Sequence, residues 1–178
     1  MPSRPDTVLL PDAGPLITLA YADALDLLLL PGWPVEVVDR VLHEVTRNST
    51  PTSEKLAQWV SDRKLAVLPT RTFQHDQQAQ AQSVRPGAPR KSHLGELAIQ
   101  ETMNGFALME APRIGVFLFE DHKIARTSFH LPDNCRKVST RSFLLFLEQK
   151  GWLDSAAAIE RRAILAGRDF SRLRFPPE

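Results

Sequence analysis

One cysteine, Cys135, is all the chain contains, which excludes an intramolecular disulfide and any zinc centre built from clustered cysteines. A reducing compartment suits it. Long apolar runs are missing as well: none reaches the ~18 residues that a membrane span needs, and the opening MPSRPDTVLLPDAGP has no signal-peptide core. The expectation is a soluble, cytoplasmic protein. No charge of one sign dominates, because Lys+Arg 22 against Asp+Glu 21 leaves a formal net charge of +1, and such a field neither draws nucleic acid nor repels it. Charge alone therefore decides no partner. Several catalytic signatures are absent too: no G-x-x-x-x-G-K-[ST] or G-x-G-x-x-G loop for nucleotide phosphates, no HExxH pair among His43, His75, His93, His122 and His130, and no G-x-S-x-G elbow around Ser92.

What is present fits one domain over residues 1–178, since 178 residues at 43% apolar content can bury an ordinary core. Short runs rich in Val, Leu, Ile or Phe read as strands at Thr7–Pro11, Val35–Val38, Leu65–Leu68, Ile114–Phe119 and Arg136–Ser139. Helical patterns lie between them at Leu16–Leu30, Asp39–Arg47, Ser53–Arg63 and His93–Ala107. That βα alternation predicts an α/β core over 1–140 with a mainly parallel sheet, because parallel neighbours need a crossover of a dozen or so residues. Two further helices, each stopped by a glycine (Gly151 and Gly167), form a C-terminal extension over 141–178. One segment breaks the rhythm. Thr70–His93 holds five Gln, two Pro and a Gly, with Arg85, Arg90 and Lys91 near its end, and reads as a polar surface excursion, part helix and part loop.

Acids fall at informative places on this map. Ligands of an open parallel sheet bind at the carboxyl ends of its strands, and two strands here end in acids: Asp12 follows the first, Glu120 and Asp121 the fourth. If those strands are neighbours, Asp12 and Asp121 share a crevice. In DRVLHEVTR the apolar stripe is Val38, Val41, Leu42 and Val45, and Glu44 flanks it, able to reach inward. In HLGELAIQETMNG, Glu96, Ile99 and Met103 share one face while Leu94, Leu97 and Ala98 form another, so a deeply buried helix with a poorly solvated Glu96 is expected. Converging carboxylates repel unless a cation lies among them, and hard oxygen ligands favour Mg²⁺ or Mn²⁺. Metal ions held this way activate water and neutralise a scissile phosphate, which points to phosphodiester hydrolysis.

Each acid also has an ordinary reading. Asp12 could simply cap the helix that follows, Glu44 could be a solvated helix acid, and Glu96 a first-turn acid favoured by the helix dipole. Arg126 could meet a phosphate or pair with a carboxylate at a helix end. A phosphotransfer domain of receiver or phosphatase type would likewise gather acids at strand ends, but Asp12 is not part of an Asp-x-Asp pair.

Taken together, VLLPDAGPLITLAYADALDLL with Asp12, VVDRVLHEVTR with Glu44, HLGELAIQE with Gly95 and Glu96, and LFEDHKIARTSF with Asp121 resemble the PIN-domain nucleases, and the resemblance runs on into STRSFLLFLEQKGWLDSA. It implies a three-layer α/β/α sandwich around a mainly parallel five-stranded sheet with C-terminal helices. The activity implied is Mg²⁺- or Mn²⁺-dependent endoribonuclease cleavage of single-stranded RNA, leaving a 5′-phosphate and a 3′-hydroxyl. Asp12, Glu96 and Asp121 are the implied metal ligands, with Glu44 the fourth catalytic acid and Glu120 a further candidate. Many relatives are toxins of bacterial toxin-antitoxin pairs, which implies a small antitoxin protein as partner and admits a homodimer. Two departures stand out: Gly14 lies where many members carry Ser, Thr or Asn, and Phe119 where many carry Thr or Ser. Both remove hydrogen bonds that would brace the site. The alternative they leave open is a PIN-fold module that binds RNA or protein without cutting.

Overall fold

The computed structural model describes residues 6–82, 94–111, 113–120 and 131–169, and among these described residues lie five strands and seven α-helices. β1 (Thr7–Pro11) and β4 (Ile114–Phe119) are apolar and buried along most of their length, the pattern of a parallel strand covered on both faces. They pair directly, Thr7 opposite Ile114 through to Pro11 opposite Leu118, and β5 (Cys135–Ser139) adds to the far side of β4. Arg136 and Lys137 on β5 place charge on the outer strand of this sheet, which discourages a further chain from adding there.

β2 (Glu36–Val38) and β3 (Ala66–Leu68) form a second, two-stranded parallel sheet. A single parallel bridge between Leu9 and Val35, with the Leu9 amide donating to the Pro34 carbonyl at 2.9 Å, joins the two sheets. The five runs read as strands from sequence are thus all strands, while the sheet divides into a three-stranded and a two-stranded part. β3 is only three residues long and largely exposed, so little apolar burial extends the second part.

Helices connect these strands: α1 (Ala13–Tyr21), α2 (Asp39–Thr46), α3 (Ser53–Asp62), α4 (Arg71–Gln82), α5 (Leu94–Ala107), α6 (Thr140–Gln149) and α7 (Ala156–Leu165). One differs from expectation. The pattern over Leu16–Leu30 breaks after Tyr21 and resumes as a 3₁₀ turn at Leu25–Leu29. The cause is Asp23, whose φ of 50 reverses the chain while the Ala24 amide bonds back to the Leu19 carbonyl at 2.9 Å, closing the helix end. Lys55 braces that end by donating to the Ala20 carbonyl and pairing with Asp23. Lys64 ends α3 in the same left-handed conformation, with φ 51, and Gly151 and Gly167 end α6 and α7.

The C-terminal helices share the core of the rest: Phe143, Leu144, Leu147, Ile159 and Ala163 pack in one cluster with Leu9, Leu19 and Phe117. Arg162 of α7 donates to the Ala22 carbonyl at 3.1 Å and ties the last helix to α1. At the amino ends of the strands, Arg113 grips Glu36 with two hydrogen bonds (2.8 and 3.1 Å), meets Asp6 at 3.3 Å and lies 4.9 Å from the centre of the Phe106 ring. Those contacts hold the Arg113 guanidinium's pKa above its ordinary value, with Glu36 the largest cause. This end of the sheet is stapled. The acids of interest lie at the other.

Candidate functional site

The chain leaves β1 toward β2 and leaves β4 toward β5, so strand order reverses between β1 and β4 and a crevice opens at their carboxyl ends. Asp12 stands there. Its amide donates to the Leu118 carbonyl at 2.9 Å, which continues the β1–β4 ladder by one residue and fixes the start of α1 against β4. Pro11, which lacks an amide, is the last residue of the strand. Asp12 occupies the capping position of α1 with extended backbone, yet its side chain makes no capping hydrogen bond. A helix cap therefore does not explain this carboxylate.

Glu44 and Gly95 complete the local picture. A Cβ built on Gly95 would lie 3.4 Å from Glu44 Oε2 and 3.7 Å from Asp12 Oδ1, so carboxylates from β1's end and from α2 converge on one point in the first turn of α5. Glycine leaves that point open. Glu44 is largely exposed while the stripe beside it, Val41 and Val45, is buried, which is what the flank of an amphipathic helix provides. Glu96 follows Gly95 and is half-buried. Its helix is less enclosed than two apolar faces suggest: Ile99, Met103 and Ala98 are fully buried, but Leu97 is 49% exposed. Asp121 lies outside the described residues, as do Arg126, His93, His122 and His130. Among the described residues no three Asp, Glu, His or Cys side chains gather tightly enough to hold a metal ion.

Glu120 has a different task from its neighbours. Its Oε2 accepts from Thr18 Oγ1 and from Arg168, each at 2.8 Å, and Arg168 Nε in turn donates to Thr18 Oγ1 at 2.8 Å. The end of β4, the middle of α1 and the chain just past α7 are thereby locked together, and that oxygen is committed to an arginine. Gly14 is explained by the same cluster. A Cβ there would come within 2.9 Å of Glu120 Cβ and 3.2 Å of its Oε2, so the bracing side chain seen in many PIN proteins has no room. Phe119 packs against Phe117 with ring centres 5.9 Å apart, and Lys137 lies 5.9 Å over its ring.

Compared with protein-family models, with curated proteins and with solved structures, the chain matches none.

Two acids outside the crevice hold its walls in place, and sequence reading passed over both. Asp39, opening α2, accepts from the Thr70 amide and hydroxyl, each at 2.8 Å, which pins the end of β3 to the helix bearing Glu44. Glu101 of α5 accepts from the amides of Arg71 (2.8 Å) and Thr72 (3.0 Å) and from the Thr72 hydroxyl (2.8 Å), capping α4 from another helix. Burial pulls the Glu101 carboxyl upward, but the donated hydrogen bonds outweigh it and hold the pKa below the usual carboxylate range. No local spacing announces such a cap, because acceptor and donors lie about thirty residues apart in the chain.

The donor set suits a hard divalent cation, being oxygen only and carboxylate throughout, and the open point at Gly95 leaves Asp12 and Glu44 room to act together.

Proposed function

We propose that the chain is a metal-dependent endoribonuclease of PIN type, cutting single-stranded RNA at the crevice between β1 and β4. The observation that carries this is the convergence of the Asp12 and Glu44 carboxylates on Gly95 at the strand-order reversal. Asp12, Glu96 and Asp121 would hold Mg²⁺ or Mn²⁺, with Glu44 as the fourth acid, and the cation when bound supplies charge neutralisation at the phosphate and an acidified water. Asp12 contributes rigidity, because its backbone is fixed between the end of β1 and the first turn of α1. Gly95 keeps α5 from crowding the acids, and the Glu120–Thr18–Arg168 cluster holds the end of β4 beside them. The Leu9–Val35 bridge between the three-stranded and two-stranded sheets supports this reading, on which the strands would stand in the order β3-β2-β1-β4-β5 as the core of a PIN-like sandwich.

On this reading the protein is the toxin of a toxin-antitoxin pair, acting in the cytoplasm, held in check by a small antitoxin and able to pair with a second copy. Among the described residues no helix is long and apolar enough to cross a membrane.

Incubation of the full chain with a labelled single-stranded oligoribonucleotide and Mn²⁺ or Mg²⁺ tests the proposal. Expected are fragments with 5′-phosphates, and loss of cleavage by at least about 100-fold in Asp12→Asn, since even groups that only orient a metal's ligands are worth 10- to 100-fold. Undiminished cleavage by that variant would remove the acids from the reaction. The second reading, a PIN-fold module that binds without cutting, is favoured by Glu120's commitment to Arg168 and by the exposure of Glu44. It expects RNA binding with no metal-dependent products.

A further inference from the structure

Arg40 and His43 of α2 and Arg47 at its carboxyl end succeed one another at steps of three and four, so they share one side of the helix, with Glu44 on its flank. Glu44 turns to Gly95. The other three line a cleft of about 220 Å³, closed by Asp76 and Gln80 of α4 and by Leu94, the residue before Gly95. The cleft thus adjoins the acid site along both α2 and α5. Its volume is below the ~300–1,000 Å³ of sites that enclose a whole small organic ligand, so it takes a group, not a molecule.

Arg40 is the unusual member. It is only 8% exposed, and its Nε has no hydrogen-bond partner. Among the described residues the nearest carboxylate oxygen, Asp76 Oδ2, stands 4.0 Å away, beyond hydrogen-bond reach, and already accepts from Gln80 at 2.9 Å. Phe73 flanks the Arg40 guanidinium at 6.0 Å and tilts against His43 at 5.1 Å, and an aromatic face supplies no hydrogen-bond acceptor for the Arg40 Nε. A buried guanidinium nitrogen lacking an acceptor is costly, and a bound anion offsets that cost. Two arginines against one aspartate leave the cleft cationic, and the planar fork of Arg matches phosphate oxygens.

We infer that this cleft holds a backbone phosphate of the nucleic-acid strand whose neighbouring phosphodiester meets the acids, so that Arg40 and Arg47 set where the strand is cut. The identity of the ligand rests on the nuclease reading; the anion site rests on Arg40. Binding and cleavage test them separately. The full chain carrying Asp12→Asn, in EDTA, is titrated with a labelled single-stranded oligoribonucleotide over a range of NaCl, with and without Arg47→Gln or Arg40→Gln. Each lost phosphate contact weakens binding severalfold whatever the base sequence, and makes the slope of log K against log salt shallower by about 0.7. Arg40→Lys keeps the charge and keeps the slope. Inorganic phosphate competes with RNA for the Asp12→Asn protein, and less well once Arg47→Gln is added. Arg47 is exposed, so its variant reads the cleft even where Arg40→Gln fails to fold. Unchanged slopes in folded Arg47→Gln and Arg40→Gln proteins overturn the inference, as does a polyglutamate peptide that binds through these arginines where RNA does not. Should the unmodified chain fail to cut RNA while the slopes still fall, the nuclease reading fails and the phosphate cleft stands.

Discussion

Replacing Gly95 by Ala separates stability from function. The added methyl would lie 3.9 Å from Val41 Cγ2, an ordinary contact, and 3.7 and 3.4 Å from the Asp12 and Glu44 oxygens, the last at the tight end of what a neighbour tolerates. Gly95 is the second residue of α5 and has no special backbone conformation, so the exchange favours the helix. An interior Gly→Ala change stabilises by roughly 0.5–1 kcal/mol, and the lower figure suits a first turn. For a chain of this length that raises Tm by about 1–2 °C. At the crevice the same methyl occupies the point where two carboxylates meet, strips water from both and pushes Glu44 aside by tenths of an ångström. Metal-dependent RNA cleavage should fall by about 10- to 100-fold, the range found when a metal's ligands lose their orientation. Thermal unfolding by circular dichroism, read beside single-turnover cleavage, tests both halves. A raised Tm with undiminished cleavage would refute the claim that these acids work from Gly95's side, and a Tm lowered by several degrees would refute the spacing argument itself.

Gly14→Ala has the opposite sign for stability, because its Cβ would lie 2.9 Å from Glu120 Cβ, close to backbone that cannot swing away; a loss of about 1–3 kcal/mol is expected in urea unfolding, as overpacking usually costs. Glu101→Gln removes the charge that caps α4. The folded-state pKa of Glu101 is depressed, so its stabilisation is complete above the unfolded value of about 4.3 and is lost as pH falls through the folded one. The gap in urea midpoint between Glu101→Gln and the unaltered chain should therefore be present at pH 7 and close in acid. Lys64→Gly relieves a left-handed L-residue while keeping the Leu65 amide's 3.0 Å bond to the Val60 carbonyl, and should raise the urea midpoint by the equivalent of about 0.5–1 kcal/mol. Arg113→Ala leaves Glu36 buried without its cation and should cost about 3–5 kcal/mol, read by the same unfolding, while sparing the distant crevice.

Periodicity decided what periodicity can decide. β1 and β4 fall at Thr7–Pro11 and Ile114–Phe119, as their runs say, because a strand buried on both faces is apolar along nearly all its length. The helix stops at Gly151 and Gly167 were legible for a like reason: both adopt positive φ, which glycine reaches without strain. Helix-face spacing put Glu44 beside a buried stripe, and strand ends put Asp12 at the crevice. The break at Asp23 was not legible, since an L-residue in the left-handed region is held there by the bonds around it, above all Ala24 to Leu19.

Which acids meet, and which are already engaged, belongs to the tertiary structure alone. Glu120 looks from sequence like a partner for its neighbour Asp121, yet Thr18 and Arg168, far away along the chain, take its oxygen. Gly14 looks like a lost brace and is instead the space Glu120 needs, and Gly95, which in sequence only precedes Glu96, is where Asp12 and Glu44 converge. Local pattern encodes periodicity and burial, because those depend on residues a few positions apart. The fate of a carboxylate depends on which cation or amide the fold carries to within 3 Å of it, and that is settled only when distant segments pack.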